Sequence, residues 1–155
     1  MGLAIIPSSA DPFFRNTIIG SRTYDGTAGN GATGAATFFT VTGEILVAAL
    51  IPFCVVSLEE ALATASITLG VTGLTTLFSP NPTGGATAID ANEFWFDATP
   101  VTQLAVPATH KDIAISADIL TQIATQAVNG GTLRLTLLWL PLSADAAVSL
   151  ASGVS

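Results

Sequence analysis

The stretch Gly131-Thr-Leu-Arg-Leu-Thr-Leu-Leu-Trp-Leu-Pro141 decides how this chain is read. Leu133, Leu135, Leu137 and Trp139 alternate with Thr132, Arg134 and Thr136, and the second set turns apolar at Leu138 and Leu140. A period of two places the first set on one buried face, with the far end of the strand expected to be covered on both sides. Asn129-Gly130-Gly131 supplies turn chemistry before it, and Pro141 ends it. Such a strand belongs in the middle of a sheet.

Working outward, further strand signals recur with breakers between them. Thr37–Thr42 alternates, Glu44–Ile51 is a buried run, and Phe53–Ser57 resumes after Pro52, which marks an edge or a bulge. Leu58–Ala65 has helical propensity but is short, so one helical turn and a wide hairpin loop both remain open. Ser66–Gly70, Asp112–Ser116 and Ala147–Leu150 read as strands, while Leu74–Phe78 is ambiguous. Ser79–Gly85 and Ala98–His110 read as loops. Glu93-Phe-Trp-Phe-Asp97 reads as an aromatic strand with Phe94 and Phe96 opposite Trp95. Residues 118–128 carry both a helical stripe and a strand alternation, and their threonines and flanking strands favour strand. The expected fold is an all-β sandwich or barrel with little helix.

Residues 1–36 differ in texture. Apolar pairs (Ile5-Ile6, Phe13-Phe14, Ile18-Ile19) punctuate breaker-rich and Gly/Thr/Asn-rich sequence without periodicity. Ordering costs about 1–2 kcal/mol per residue, and this composition buries little by itself. The expectation is an extended N-terminal arm over 1–36, with Ile5, Ile6, Phe13, Phe14, Ile18 and Ile19 as partner-binding anchors, ahead of one β domain over 37–155.

At 155 residues, 50% hydrophobic and only 10% charged, with mean hydropathy +0.65, the chain is more apolar than its own interior requires. Some of that apolar surface is expected to lie against partners. Net charge is −7, and the cations are Arg15, Arg22, Lys111 and Arg134. Four scattered cations make neither a phosphate-neutralising patch nor a polybasic membrane site, so nucleic acid and membrane are not expected partners. The longest apolar run, Ile45–Val56, is too short to span a bilayer and holds Pro52. The N-terminus has no basic n-region and is not read as a signal peptide.

Reactive groups are sparse. Cys54 sits in an apolar run and reads as a small buried hydrophobe. His110 reads as a solvated loop residue, with no Gly-x-Ser-x-Gly elbow to pair with it. One His and one Cys do not build a zinc site of the usual kind, and Asp90, Asn92, Glu93 and Asp97 lack the EF-hand pattern. Glu59-Glu60 reads as a solvated face. The Gly-x-Gly-x-x-Gly at 29–34 neither follows a strand nor opens a helix. No catalytic residue, cofactor or metal is assigned, and an enzyme is not expected. The aromatics at 93–97 leave a carbohydrate-binding, host-recognition module as an alternative.

Val41-Thr-Gly-Glu-Ile-Leu-Val47, Ser66-Ile-Thr-Leu-Gly70, Ala88-Ile-Asp-Ala-Asn-Glu-Phe-Trp-Phe-Asp-Ala-Thr-Pro100 and Gly131-Thr-Leu-Arg-Leu-Thr-Leu-Leu-Trp-Leu-Pro-Leu-Ser143 occur in this order. Together they resemble small virion structural proteins of tailed bacteriophages, particularly head decoration (cement) proteins, over residues 37 to 150. The resemblance implies an all-β domain on the exterior of an icosahedral capsid, bound to the major capsid protein and to itself as a trimer. It brings no catalytic residue set. The long Gly-rich segment departs from compact decoration proteins and leaves room for a head fibre or tail component.

Overall fold

A computed structural model describes residues 16–62 and 64–155. The chain forms two antiparallel sheets packed face to face, a β-sandwich and not a closed barrel. Its strands are β1 (Asn16–Thr23), β2 (Gly34–Thr42), β3 (Ile45–Glu60), β4 (Ser66–Val71), β5 (Leu74–Ser79), β6 (Ile113–Ile115), β7 (Ile119–Ala124), β8 (Val128–Pro141) and β9 (Ala147–Leu150). The first sheet runs β1-β8-β3-β6 and the second β5-β4-β7-β2-β9.

The Leu/Thr alternation makes β8 the spine of the first sheet. Leu133, Leu135 and Leu137 are fully buried between the sheets, against Leu50, Cys54 and, from the second sheet, residues such as Ile67 and Ile119. At its far end β8 departs from expectation. Leu138 and Leu140 are half-buried on an outer face that no third sheet covers among the described residues. Asn129-Gly130-Gly131 lies inside β8 and not in a turn before it, with Gly130 opposite Glu59; Gly131 has φ +96°, and a Cβ there would lie 2.4 Å from the Ser57 carbonyl oxygen. Only glycine fits both the backbone angle and that approach.

Pro52 does not interrupt β3, which runs on to Glu60. Its carbonyl accepts the Trp95 N–H, so its nitrogen faces the same side, away from β8. The missing donor therefore costs no bond to β8. Residues 61–65 are the β3–β4 connection, which settles 58–65 in favour of strand end and loop. A register shift between Thr37 and Phe39 breaks the alternation expected in β2, and both Phe38 and Phe39 are fully buried. Residues 119–124 are strand, paired with β2 and β4.

Two expectations need correction. The β domain does not begin at residue 37: Asn16–Thr23 pairs with β8 from Trp139 to Thr132, and Tyr24 is in the core. Ile18 and Ile19 are thus strand residues of the sandwich, whereas Ile5, Ile6, Phe13 and Phe14 lie outside the described residues. Residues 93–97 are not a regular strand. They follow a short 3-10 turn at Ala86–Ala88 and cap the free edge of β3, through Cys54 N–H to the Glu93 carbonyl and Asn92 N–H to the Cys54 carbonyl.

Candidate functional site

Ser79, at the end of β5, and His110, in the 98–112 connection, are the nearest the described residues come to a nucleophile–base pair. Ser79 Oγ lies 2.9 Å from His110 Nε2. The polarity of the network runs against catalysis. A serine hydroxyl has one hydrogen, and Ser79 gives it to the Trp95 carbonyl at 2.6 Å. Nε2 must then carry the ring proton and donate to Ser79, leaving Nδ1 to accept from Thr109 Oγ1 at 3.0 Å. A base that takes a proton from serine needs the opposite tautomer. His110 is also fully buried among Phe78 and Phe96, not solvated as expected, and burial pulls its pKa down to about 4 against a smaller opposing effect of Asp97. The sequence signal for this burial was the aromatic content of 94–96, read there as a strand.

The other reactive candidates resolve in the same direction. Cys54 is buried as expected, its Sγ directed at the Val56 and Ile89 carbonyls, and desolvation pushes its thiol up to about 12. Among the described residues no three His, Cys, Asp or Glu side chains converge on a possible metal position. Trp95 is fully buried, with Nε1 donating to the Pro80 carbonyl, and Phe94 stacks on Phe96. No sugar-stacking platform exists at Trp95.

The Gly-rich segment has a structural task that the sequence alone did not disclose. Arg22 points into the sandwich from β1 and is nearly fully buried, over the Phe38 ring. Its guanidinium donates to the Gly29 carbonyl and Asn30 Oδ1, both at 2.5 Å, to the Thr37 carbonyl, and to the Ser152 carbonyl at 3.0 Å. Burial lowers its pKa, and its partners here are neutral acceptors. The turn through Gly29 and Gly31 thus caps a buried cation. The same arginine ties the C-terminal residues to β1, where Ser21 and Ser155 exchange both backbone hydrogen bonds.

The outward positions of the first sheet are apolar on three strands: Ile19 on β1, Leu138 and Leu140 on β8, Ile51, Phe53 and Val56 on β3. Ile19 and Val56 are each 52% exposed. A monomer's antiparallel sheet with one free face ordinarily alternates to polar residues on that face. Over Thr17–Thr23 of β1, Thr132–Leu140 of β8 and Leu46–Val56 of β3, the residues Thr17, Ser21, Thr23, Thr132 and Thr136 are interleaved with large hydrophobes and Arg134 is the one charge, with exposed Glu59 farther along β3. Arg134 lies over the Phe53 ring, 4.8 Å from its centroid. Of the expected anchors, the structure puts Ile19 on this face and turns Ile18 inward against the core.

The sequence matches no protein-family profile and no curated protein. Among solved structures the chain is similar to a chain of the cyanophage Pam1 capsid asymmetric unit, with TM-score 0.41 and 17% identity over 85% of this chain and 90% of that one. A likeness this distant assigns no function.

Proposed function

We propose that this chain is a non-catalytic structural component of a tailed-phage virion. Within that class we assign it to the decoration proteins, which bind the outside of an icosahedral head as a homo-oligomer, with the major capsid protein as partner. The observation that carries the reading is the outer face of the first sheet, whose hydrophobes exceed what a solvated sheet face holds. The phrases at 41–47, 66–70, 88–100 and 131–143, which resemble decoration proteins, all fall within the sandwich. The hydrogen-bond polarity at Ser79–His110 supports a role without acyl-transfer chemistry.

The mechanism is linkage. A protein that binds the assembled shell and not its separated subunits shifts the equilibrium toward the shell by RT ln(1 + [L]/Kd), about 2.7 kcal/mol at a hundredfold excess over Kd. The test is co-sedimentation of the purified full chain with expanded phage heads, with the thermal transition of the heads read in parallel. Binding that raises the transition is expected. Failure to co-sediment over the micromolar range overturns the assignment to decoration proteins.

A further inference from the structure

We propose that Asn30-Gly31 is a self-modification site, where loss of the Asn30 side-chain amide supplies the buried Arg22 with a carboxylate partner. This holds whether or not the chain belongs to a virion.

Arg22 is 2% exposed, and every acceptor its guanidinium reaches is neutral: the Gly29, Thr37 and Ser152 carbonyls and Asn30 Oδ1. Its Nε is buried with no partner among the described residues. A cation taken out of water and met only by dipoles is left without the opposite charge that would offset its desolvation. Asn30 is the side chain among those four acceptors, and one hydrolysis separates its amide from a carboxylate.

Asn30 is followed by glycine, within the Gly-x-Gly-x-x-Gly run at 29–34. Deamidation begins when the next residue's backbone nitrogen gives up its proton and attacks the side-chain amide carbon. Gly31, at φ +119°, has no room for a Cβ beside the Val128 carbonyl, so no side chain shields that nitrogen. The turn favours the attack in three ways. The Gly31 N–H has no acceptor among the described residues, although the Asn30 and Ala32 N–H groups on either side both donate to the Thr27 carbonyl. No bond must break to free it. The carbonyl of the same peptide, that of Asn30, accepts from the Asp25 N–H at 2.7 Å and the Gly26 N–H at 3.1 Å. Both draw charge onto the oxygen and stabilise the deprotonated peptide. Arg22 Nη1, 2.5 Å from Asn30 Oδ1, stands where negative charge develops as the amide carbon becomes tetrahedral.

The Gly31 nitrogen bonds to Asn30 Cγ, the Cγ–Nδ2 bond breaks, and ammonia leaves with the proton the nitrogen lost. Water then opens the cyclic imide at either carbonyl, and residue 30 keeps a carboxylate in both cases. Asn30 is half-buried beside the exposed Gly29, within reach of that water. The chain's other Asn-Gly, Asn129-Gly130, provides a contrast. It lies inside β8 opposite Glu59, and a Cβ on Gly130 would stand 2.8 Å from Glu59 Oε2. An anion so close disfavours a negatively charged peptide there.

The test is peptide mapping by mass spectrometry of the full chain aged in mildly alkaline buffer, folded and in concentrated urea, following the gain of one dalton at each site. Asn30 is expected to react at least as fast folded as unfolded, and Asn129 roughly tenfold more slowly than Asn30 in the folded chain. Slowing of Asn30 on folding, or equal rates at the two sites in the folded chain, overturns the proposal. Asn30→Asp carries the product carboxylate. It is expected to raise the urea midpoint by about 0.5 M at neutral pH and to lose that gain as pH falls through the carboxylate range. A midpoint unchanged or lowered at neutral pH overturns the proposal as well.

Discussion

Arg134 on β8 and Phe53 on β3 are register partners whose side chains meet on the outside of the sheet, guanidinium over ring. Among the described residues facing outward between Leu46 and Val56 and on the neighbouring lengths of β8 and β1, Arg134 is the one charged side chain. A cation–π contact at an exposed site contributes about 0.5–1 kcal/mol to the fold.

Arg134→Ala is therefore expected to lower unfolding free energy by no more than about 1 kcal/mol in a urea titration, with an unchanged slope. A loss several times larger would show that the side chain holds something within the fold.

Arg22→Met should behave differently. It leaves Asn30 and the Gly29, Thr37 and Ser152 carbonyls without their donor inside the protein. The expected cost is roughly 3–5 kcal/mol. Because Arg22 holds the C-terminal residues to β1, amide exchange at Gly153–Ser155 should accelerate beyond the change in the core. Arg22→Lys should recover little, since one ammonium does not span four acceptors fixed in a fork.

The His110 imidazole gives the fold a pH dependence with a definite sign. Its folded pKa, about 4, lies below the ordinary 6.5, so the unfolded chain takes up a proton first as pH falls. The contribution is intact above 6.5, is lost progressively between 6.5 and 4, and changes no further below that. The total is at most about 3 kcal/mol. Chemical denaturation at pH 7.5, 5.5 and 4.5 measures it, and His110→Gln should flatten the slope in this window.

Leu135→Ala tests the spine. The side chain is fully buried at the centre of β8, paired with Pro52 and Gly20 on its two sides. A cavity there should cost about 2–5 kcal/mol. A loss below 1 kcal/mol would mean the sheets close over the gap.

Much of this fold is legible in the residues because a period of two is a strong signal. The alternation at 132–139 identified the buried face of β8, and those at 66–70, 113–115 and 147–150 found strands. Where the reading failed, the reason was a contact distant in sequence. Phe38 and Phe39 share the core because of a bulge set by β7 and β9. The aromatics at 94–96 are held as a cap by the Cys54 and Pro52 backbone, not by strand pairing along their length. Residues 23–34 look like an unsupported arm until Arg22 is seen inside the sandwich, since nothing local says that a lone arginine will be buried. For the interaction face, excess hydropathy predicted that such a surface exists, but its location depends on which side of β8 the second sheet covers.

The order of the strands in the first sheet has a bearing on synthesis. β1 is made well before its partner β8, and Thr23 meets Thr132 across 109 residues. The long pairing of β3 likewise waits for β8, since β6 meets only Ile45–Val47, so neither β1 nor most of β3 can zip until residues 128–141 have emerged. Non-local pairings of this kind fold slowly. During translation the Leu- and Ile-rich segments of β3 remain uncovered until then, and a chain cut before Val128 could complete only part of the second sheet.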